Sequence, residues 1–300
     1  MIPVAKYGEI KGGCLAFMLR RAKRILPPYY AALLIAIVVD KYTGFMGAPA
    51  QFSREVIGHL FLLHDVNTAY WVQSMEGVLG PLWSIAIEWH AYFLFPVYFW
   101  LFQKCGAVKA TVFIALAWYA AQALGVHSPI TLSLVWLYWL FALGMCASYL
   151  CFSPDKEAVK LRALPWTPIT LGMTPVGALG AYLFLKGIGS TFVADSAVGL
   201  LAAAVMISFA LNESKLKALI CQPILVWIGT WSYSLYLIHW CLLDIRCKFF
   251  PGTSMLAFIP FALLSGYLFH LAFEKPFMTT TKRVPSEAKP AELPGIVAST

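Results

Sequence analysis

Apolar residues run along this chain in long unbroken blocks, not in the three-and-four spacing of a surface helix. A helix needs roughly 20 apolar residues to cross a bilayer. Eight blocks reach or approach that length: 26–43, 82–102, 107–124, 131–151, 168–186, 191–211, 222–243 and 255–273. They predict an all-α polytopic membrane protein with about eight transmembrane helices. Pro or Gly interrupts several blocks, which membrane helices tolerate when neighbouring groups satisfy the freed backbone. The connection 44–81 differs. Its REVIGHLFLLHD, residues 54–65, is amphipathic and too short to span, which predicts an interfacial or re-entrant segment. From Thr279 the chain reads TTTKRVPSEAKPAELPGIVAST, rich in Pro, Ala and charge, and is expected to be a disordered tail. Residues 1–278 are therefore expected to form the helical bundle and 279–300 the tail. No repeat of solenoid period is present.

Composition sharpens this picture. The chain is 60% hydrophobic and 12% charged, with a mean hydropathy of +0.74. Soluble domains are nearer half apolar and a quarter charged, so a water-soluble globule is excluded. The net charge of +8 falls between the apolar blocks and forms no nucleic-acid face. With the N-terminus in the cytosol and alternating crossings, 17 of the 22 Lys and Arg lie on the cytosolic side. The other five are Lys41, Arg54, Lys186, Arg246 and Lys248. That asymmetry follows the positive-inside rule and places both termini in the cytosol. MIPVAKYGEIKGGC is no secretory leader, so the first span has to act as the insertion signal. The seven cysteines show no metal-ligand or CxxC spacing and read as small buried fillers, with no metal site.

Three polar clusters interrupt the apolar blocks. GPLWSIAIEWHAYFLFP, residues 80–96, carries Ser84, Glu88 and Tyr92 at i, i+4 and i+8, on one helical face. His90 points elsewhere, nearer Trp83. Placing a charged side chain at the centre of a membrane helix costs about 2.5–3.5 kcal/mol, so such residues mark functional sites by default. Spacing alone leaves two readings open: a face lining a catalytic cavity, with Trp83 beside it, or hydrogen-bonding glue between helices. The seventh block repeats the pattern with Ser232, Tyr236 and His239 at i, i+4 and i+7. The third cluster, MLRRAKRILPPYY at 18–30, precedes the first block. Its basic residues set topology or meet anionic lipid. Alternatively, Arg21 and Arg24, at i and i+3, hold one anionic ligand through bidentate forks at the cytosolic mouth of a cavity.

These pieces, in this order, resemble the integral-membrane acyltransferase-3 family, whose members move acyl groups, usually acetyl, onto sugars of envelope glycans and related acceptors. Arg21-Ala-Lys-Arg24 followed by Ile-Leu-Pro-Pro-Tyr-Tyr matches its RxxR motif. His59-Leu-Phe-Leu-Leu-His64-Asp65 resembles its HLxLLHN stretch. Leu82-Trp83-Ser84 through Glu88, Tyr92 and Pro96 resembles LWSLSxExxFYLLxP. Ser232-Tyr233-Ser234-Leu235-Tyr236-Leu237-Ile238-His239 resembles SYSLYLxH, and Glu274-Lys275-Pro276 the ERP triplet, with Lys275 in place of Arg. Cys241 follows Trp240 where the family commonly has Pro.

The resemblance implies acyl-CoA as co-substrate, with its phosphates on Arg21 and Arg24. It implies a cavity lined by Glu88, Ser84 and His239, a sugar hydroxyl as acceptor, and a bacterial inner membrane with its lipids as surroundings. It also implies two helices ahead of this chain, the first carrying the His regarded as the catalytic base. Residues 1–300 then offer His239 as the internal substitute and are expected to form an open bundle, catalytically silent alone. Two rival classes carry the same polar pattern: a transporter or flippase of a glycan or lipid, and a non-catalytic subunit or truncated paralogue.

Overall fold

The computed structural model describes residues 2–44, 56–64, 80–124, 137–188 and 191–278. The tail 279–300 lies outside the described residues. Among those described there is no strand. The helices are α1 (Ile2–Tyr7), α2 (Gly13–Thr43), α3 (Trp83–Cys105), α4 (Ala107–Ala123), α5 (Leu137–Phe152), α6 (Lys156–Arg162), α7 (Trp166–Leu185), α8 (Thr191–Leu211), α9 (Lys215–Ile220), α10 (Pro223–Thr230), α11 (Ser232–Phe249) and α12 (Met255–Phe269). A π turn, His270–Glu274, and a 3-10 turn, Lys275–Phe277, follow. Among the described residues, five helical stretches are long and apolar enough to cross a membrane: Gly13–Thr43, Gly80–Cys105, Trp166–Leu185, Thr191–Leu211 and Met255–Phe277. The chain is an all-α, multi-pass membrane protein.

The other three expected spans depart from simple crossings. α4 has 17 residues. The described part of 131–151 begins at Leu137, and α5 turns through 88° into α6. The block 222–243 breaks at Trp231 into α10 and α11. Here Thr230 Oγ1 donates to the Trp227 carbonyl and Ser232 Oγ to that of Gly229, at 2.7 and 3.0 Å. Hydroxyls that bond nearby main chain compete with helix continuation, and Trp231 itself is buried in the corner.

The first span also starts earlier than its apolar block, because Ala, Leu, Met, Arg and Lys in GCLAFMLRRAKRIL all favour helix. The basic cluster is therefore inside α2 and not ahead of it. Pro27 and Pro28 continue the helix without N–H groups, so the carbonyls of Lys23 and Arg24 lose their usual donors. Pro96 does the same to the Tyr92 carbonyl in α3.

α7 and α8 form the closest helical pair. Gly177 and Gly180 lie buried between them, while Leu171, Val176, Leu179 and Tyr182 point outward as a lipid-facing surface. A Cβ at Gly180 would sit 2.9 Å from Ala197 Cβ and 3.1 Å from the Ala194 carbonyl. Gly180→Val is expected to cost about 1–3 kcal/mol by forcing the helices apart. It should lower the thermal unfolding midpoint of the detergent-purified protein, and an unchanged midpoint would show that the pair has slack.

Candidate functional site

The site forms where α2, α3 and α11 meet. Halfway along α3, the Tyr92 hydroxyl donates to Glu88 one turn earlier. The Arg21 guanidinium lies 5.1 Å from the Tyr92 ring and 5.4 Å from that of Phe17, and Phe17 stacks on Phe95 at 4.3 Å. Arg24 lies one turn further along α2. Tyr92 is the tenth residue of α3, about 14 Å from its start at 1.5 Å per residue. Arg21 thus meets α3 near its middle. Arg21 is half-buried, whereas Arg20, Lys23 and Arg24 are exposed. Arg20 folds back to donate to the Lys11 carbonyl at 2.7 Å.

Nearer the start of α3, Ser84 Oγ and the Tyr236 hydroxyl are 2.6 Å apart. Tyr236 also donates to the Pro81 carbonyl. A phenol has one proton to give, so Ser84 is the donor in its contact with Tyr236. The polar faces of α3 and α11 therefore confront one another. Tyr233 reaches to the third helix and donates to the Ile25 carbonyl at 3.1 Å, one residue beyond Arg24.

His239 lies one turn beyond Tyr236, half-buried, its ring 5.5 Å from that of Tyr236. Its Nδ1 is 2.6 Å from the Tyr236 carbonyl oxygen. A carbonyl only accepts, so Nδ1 carries the proton, and in the neutral ring Nε2 holds a lone pair. Ser232 does not join this group. It opens α11, is exposed, and bonds the Gly229 carbonyl. Trp83 opens α3 and is half-buried, as is His90 on another face.

Two groups entered the sequence reading only as motif positions, with no contact assigned. His59 and His64 are fully buried, with rings stacked at 3.8 Å and 7°. His64 Nε2 lies 3.2 Å from the Leu82 carbonyl, and Tyr29 donates to the His59 carbonyl at 2.8 Å. Ile57, Leu60, Phe61 and Leu63 of the same segment are exposed. The amphipathic stretch is thus inverted relative to a soluble helix, with imidazoles inward and apolar residues outward, as suits a lipid environment. The second group is Ser234, His270 and Glu274, all buried. A carboxylate closing an apolar span was its available signal.

A separate cavity of about 600 Å³ opens between α1, α3 and α5, walled by Phe95, Phe99, Phe102 and Met145, with Gln103 and Tyr149 nearer the rim. At its edge the Tyr149 hydroxyl and then the Glu157 backbone N–H hold the Asp155 carboxyl below the usual carboxylate range. Asp155 caps α6. That cap is present above the ordinary carboxylate pKa and is lost as pH falls through the lowered one.

A family profile described as an acyltransferase domain, acyltransferase-3, matches residues 4–274, from α1 to the end of the π turn. The chain belongs to the acyltransferase-3 family. Proteins named "Putative O-acetyltransferase" from Staphylococcus aureus strains COL, MSSA476 and MRSA252 are similar to it. Each is 22% identical over 89% of this chain and 47% of its own length. The chain therefore spans about half the length of the curated relatives it matches. No solved structure gives a significant match. The polar seam between α2, α3 and α11 lies wholly within the acyltransferase-3 match.

Proposed function

We propose that this chain builds the membrane-embedded transfer site of an O-acyltransferase. It passes an acyl group, acetyl in the first instance, from cytosolic acyl-CoA to a hydroxyl of an envelope sugar in the bacterial inner membrane. The observation that carries this reading is the convergence of Arg21, Glu88, Ser84, Tyr236 and His239 at one seam of a family whose relatives are named for acetyl transfer.

A sugar hydroxyl is a weak nucleophile at neutral pH and needs a positioned base. His239 Nε2 offers a lone pair for that role at the seam. As the acceptor oxygen bonds to the thioester carbonyl carbon, its proton moves to Nε2. The carbonyl oxygen becomes an oxyanion, for which a hydroxyl donor such as Ser84, once turned from Tyr236, is well placed. Collapse breaks the carbon–sulfur bond, and the proton returns from Nε2 to the leaving CoA thiolate. The net products are an acyl ester and free CoA. Arg21 and Arg24 hold the phosphates of the donor, which leaves the apolar bundle to exclude water from the thioester.

Membranes containing the full gene product, incubated with radiolabelled acetyl-CoA, should place label in the glycan fraction. An inserted protein that transfers none overturns the reading. The double variant Arg21→Lys/Arg24→Lys keeps the charge and loses the bidentate fork. It should raise the KM for acetyl-CoA by about tenfold with kcat retained. A double variant with unchanged KM moves the phosphate site elsewhere.

A further inference from the structure

Beyond the transfer seam, the last described span carries a buried polar group with no part in the chemistry above. Glu274 is fully enclosed. Its Oε2 accepts from Ser234 Oγ at 2.6 Å and lies 2.8 Å from His270 Nδ1, while Oε1 is buried and has no hydrogen-bond partner among the described residues. His270 and Glu274 bound the π turn, a widened turn that brings both onto the same side. Gly266 lets this helix approach α11 closely, since a Cβ there would lie 3.2 Å from Leu235 Cα. The Tyr267 ring stacks with that of His270 at 6.5 Å and packs edge-on against Trp231 at 5.8 Å, at the corner where α11 begins.

An enclosed carboxylate with one oxygen unbonded is a costly way to join two helices, and an apolar pair of similar volume commonly does as well or better. Along α11, Ser234 follows Tyr233 and precedes Tyr236 by two residues. Tyr233 reaches α2, Ser234 reaches Glu274 and Tyr236 reaches α3. We infer that Glu274 is a positioning residue for the proposed transfer: by holding Ser234 it fixes the rotation and register of α11, and so aims Tyr236 and His239 at the Glu88 helix. The inference rests on the transfer reading for its catalytic meaning, but the geometry can be tested without activity.

The test uses the full gene product in membranes, with Glu274→Ala, Glu274→Gln, Ser234→Ala, Tyr236→Phe and the double variant Glu274→Ala/Tyr236→Phe. A displacement of about 1 Å at a reacting group can cost 10²-fold. Glu274→Ala should therefore lower kcat by up to ~10²-fold with the KM for acetyl-CoA unchanged. Glu274→Gln, whose amide oxygen still accepts from Ser234, should restore most of the rate. If Glu274 acts through Tyr236, the double variant falls no further than the worse single variant.

Additive losses, or full kcat in Glu274→Ala, would overturn the inference. Should Glu274→Ala fail to accumulate, Ser234→Ala removes only the hydroxyl and carries the same expectation. A 3-fluorotyrosine at position 236 supplies a readout besides activity. Its fluorine resonance should shift in Ser234→Ala and not in Glu213→Gln, a change at an exposed ion pair with Lys217. A shifted resonance in a protein that transfers no label sustains the positioning role and sinks the transfer reading. An unshifted one beside normal transfer does the reverse.

Discussion

His239→Asn is expected to remove 10²- to 10⁴-fold of the acyl-transfer rate, the range contributed by a positioned general base. The asparagine amide can still donate to the Tyr236 carbonyl from near the place of Nδ1, so the local turn of α11 keeps its hydrogen bond. What disappears is the Nε2 lone pair, which the Nδ1 contact at 2.6 Å leaves ready to accept a proton. Single-turnover label transfer should fall while photocrosslinking of an acetyl-CoA analogue persists. If His239→Asn transfers label at the normal rate, the base is another residue, and His239 serves only to cap its own helix.

A loss of about 10²-fold is expected for Glu88→Gln, on the scale of removing one electrostatic contributor from a water-poor site. The substitution is nearly isosteric, and its amide oxygen can still accept from Tyr92. Packing around Phe17, Tyr92 and Phe95 should survive, which an unchanged unfolding midpoint will show. The carboxyl group at the centre of the seam, however, is replaced by an amide. Tyr92→Phe provides the complementary measurement, since it removes the donor and leaves the carboxylate. If Glu88→Gln retains full kcat while Tyr92→Phe unfolds early, the pair holds helices together and takes no part in transfer.

How much of this was legible beforehand varies by element. Hydropathy located most of the spans, because the price of burying charge in a bilayer leaves long apolar blocks in any sequence that crosses it. It misjudged 222–243, where the break at Trp231 comes from the hydroxyls of Thr230 and Ser232 bonding main chain, an event that a running average smooths away. It also began α2 too late, since basic residues lower hydropathy without weakening a helix. Helical spacing put Ser84, Glu88 and Tyr92 on one face and Tyr236 near His239. It misled at Ser232, because the face it assumed needs a continuous helix and that residue sits at the corner. The meeting of Arg21 with Tyr92 was not legible at all. It depends on how far α2 slides along α3, where Phe17 stacks on Phe95. The inward placement of His59 and His64, read only as motif positions, was hidden for a related reason: in lipid the buried side of a short segment is the polar one. The convergence of Ser234 and Glu274 needed the π turn, whose extra residue per turn leaves no mark in composition.

The anchoring of α11 also sets the order in which the protein can be finished. Three of its ties run to partners 208, 152 and 40 residues away along the chain, at Ile25, Ser84 and Glu274. The first two partners leave the ribosome long before α11 does, and the third leaves after it. During synthesis the arginines of α2 and the carboxylate of α3 therefore enter the membrane with their facing wall still unmade. The wall is fixed only when the last turn of the bundle has emerged. The seam is thus one of the last features of the protein to be completed, and a chain interrupted shortly before Glu274 would have its polar groups already in the bundle and lack the tie that fixes α11.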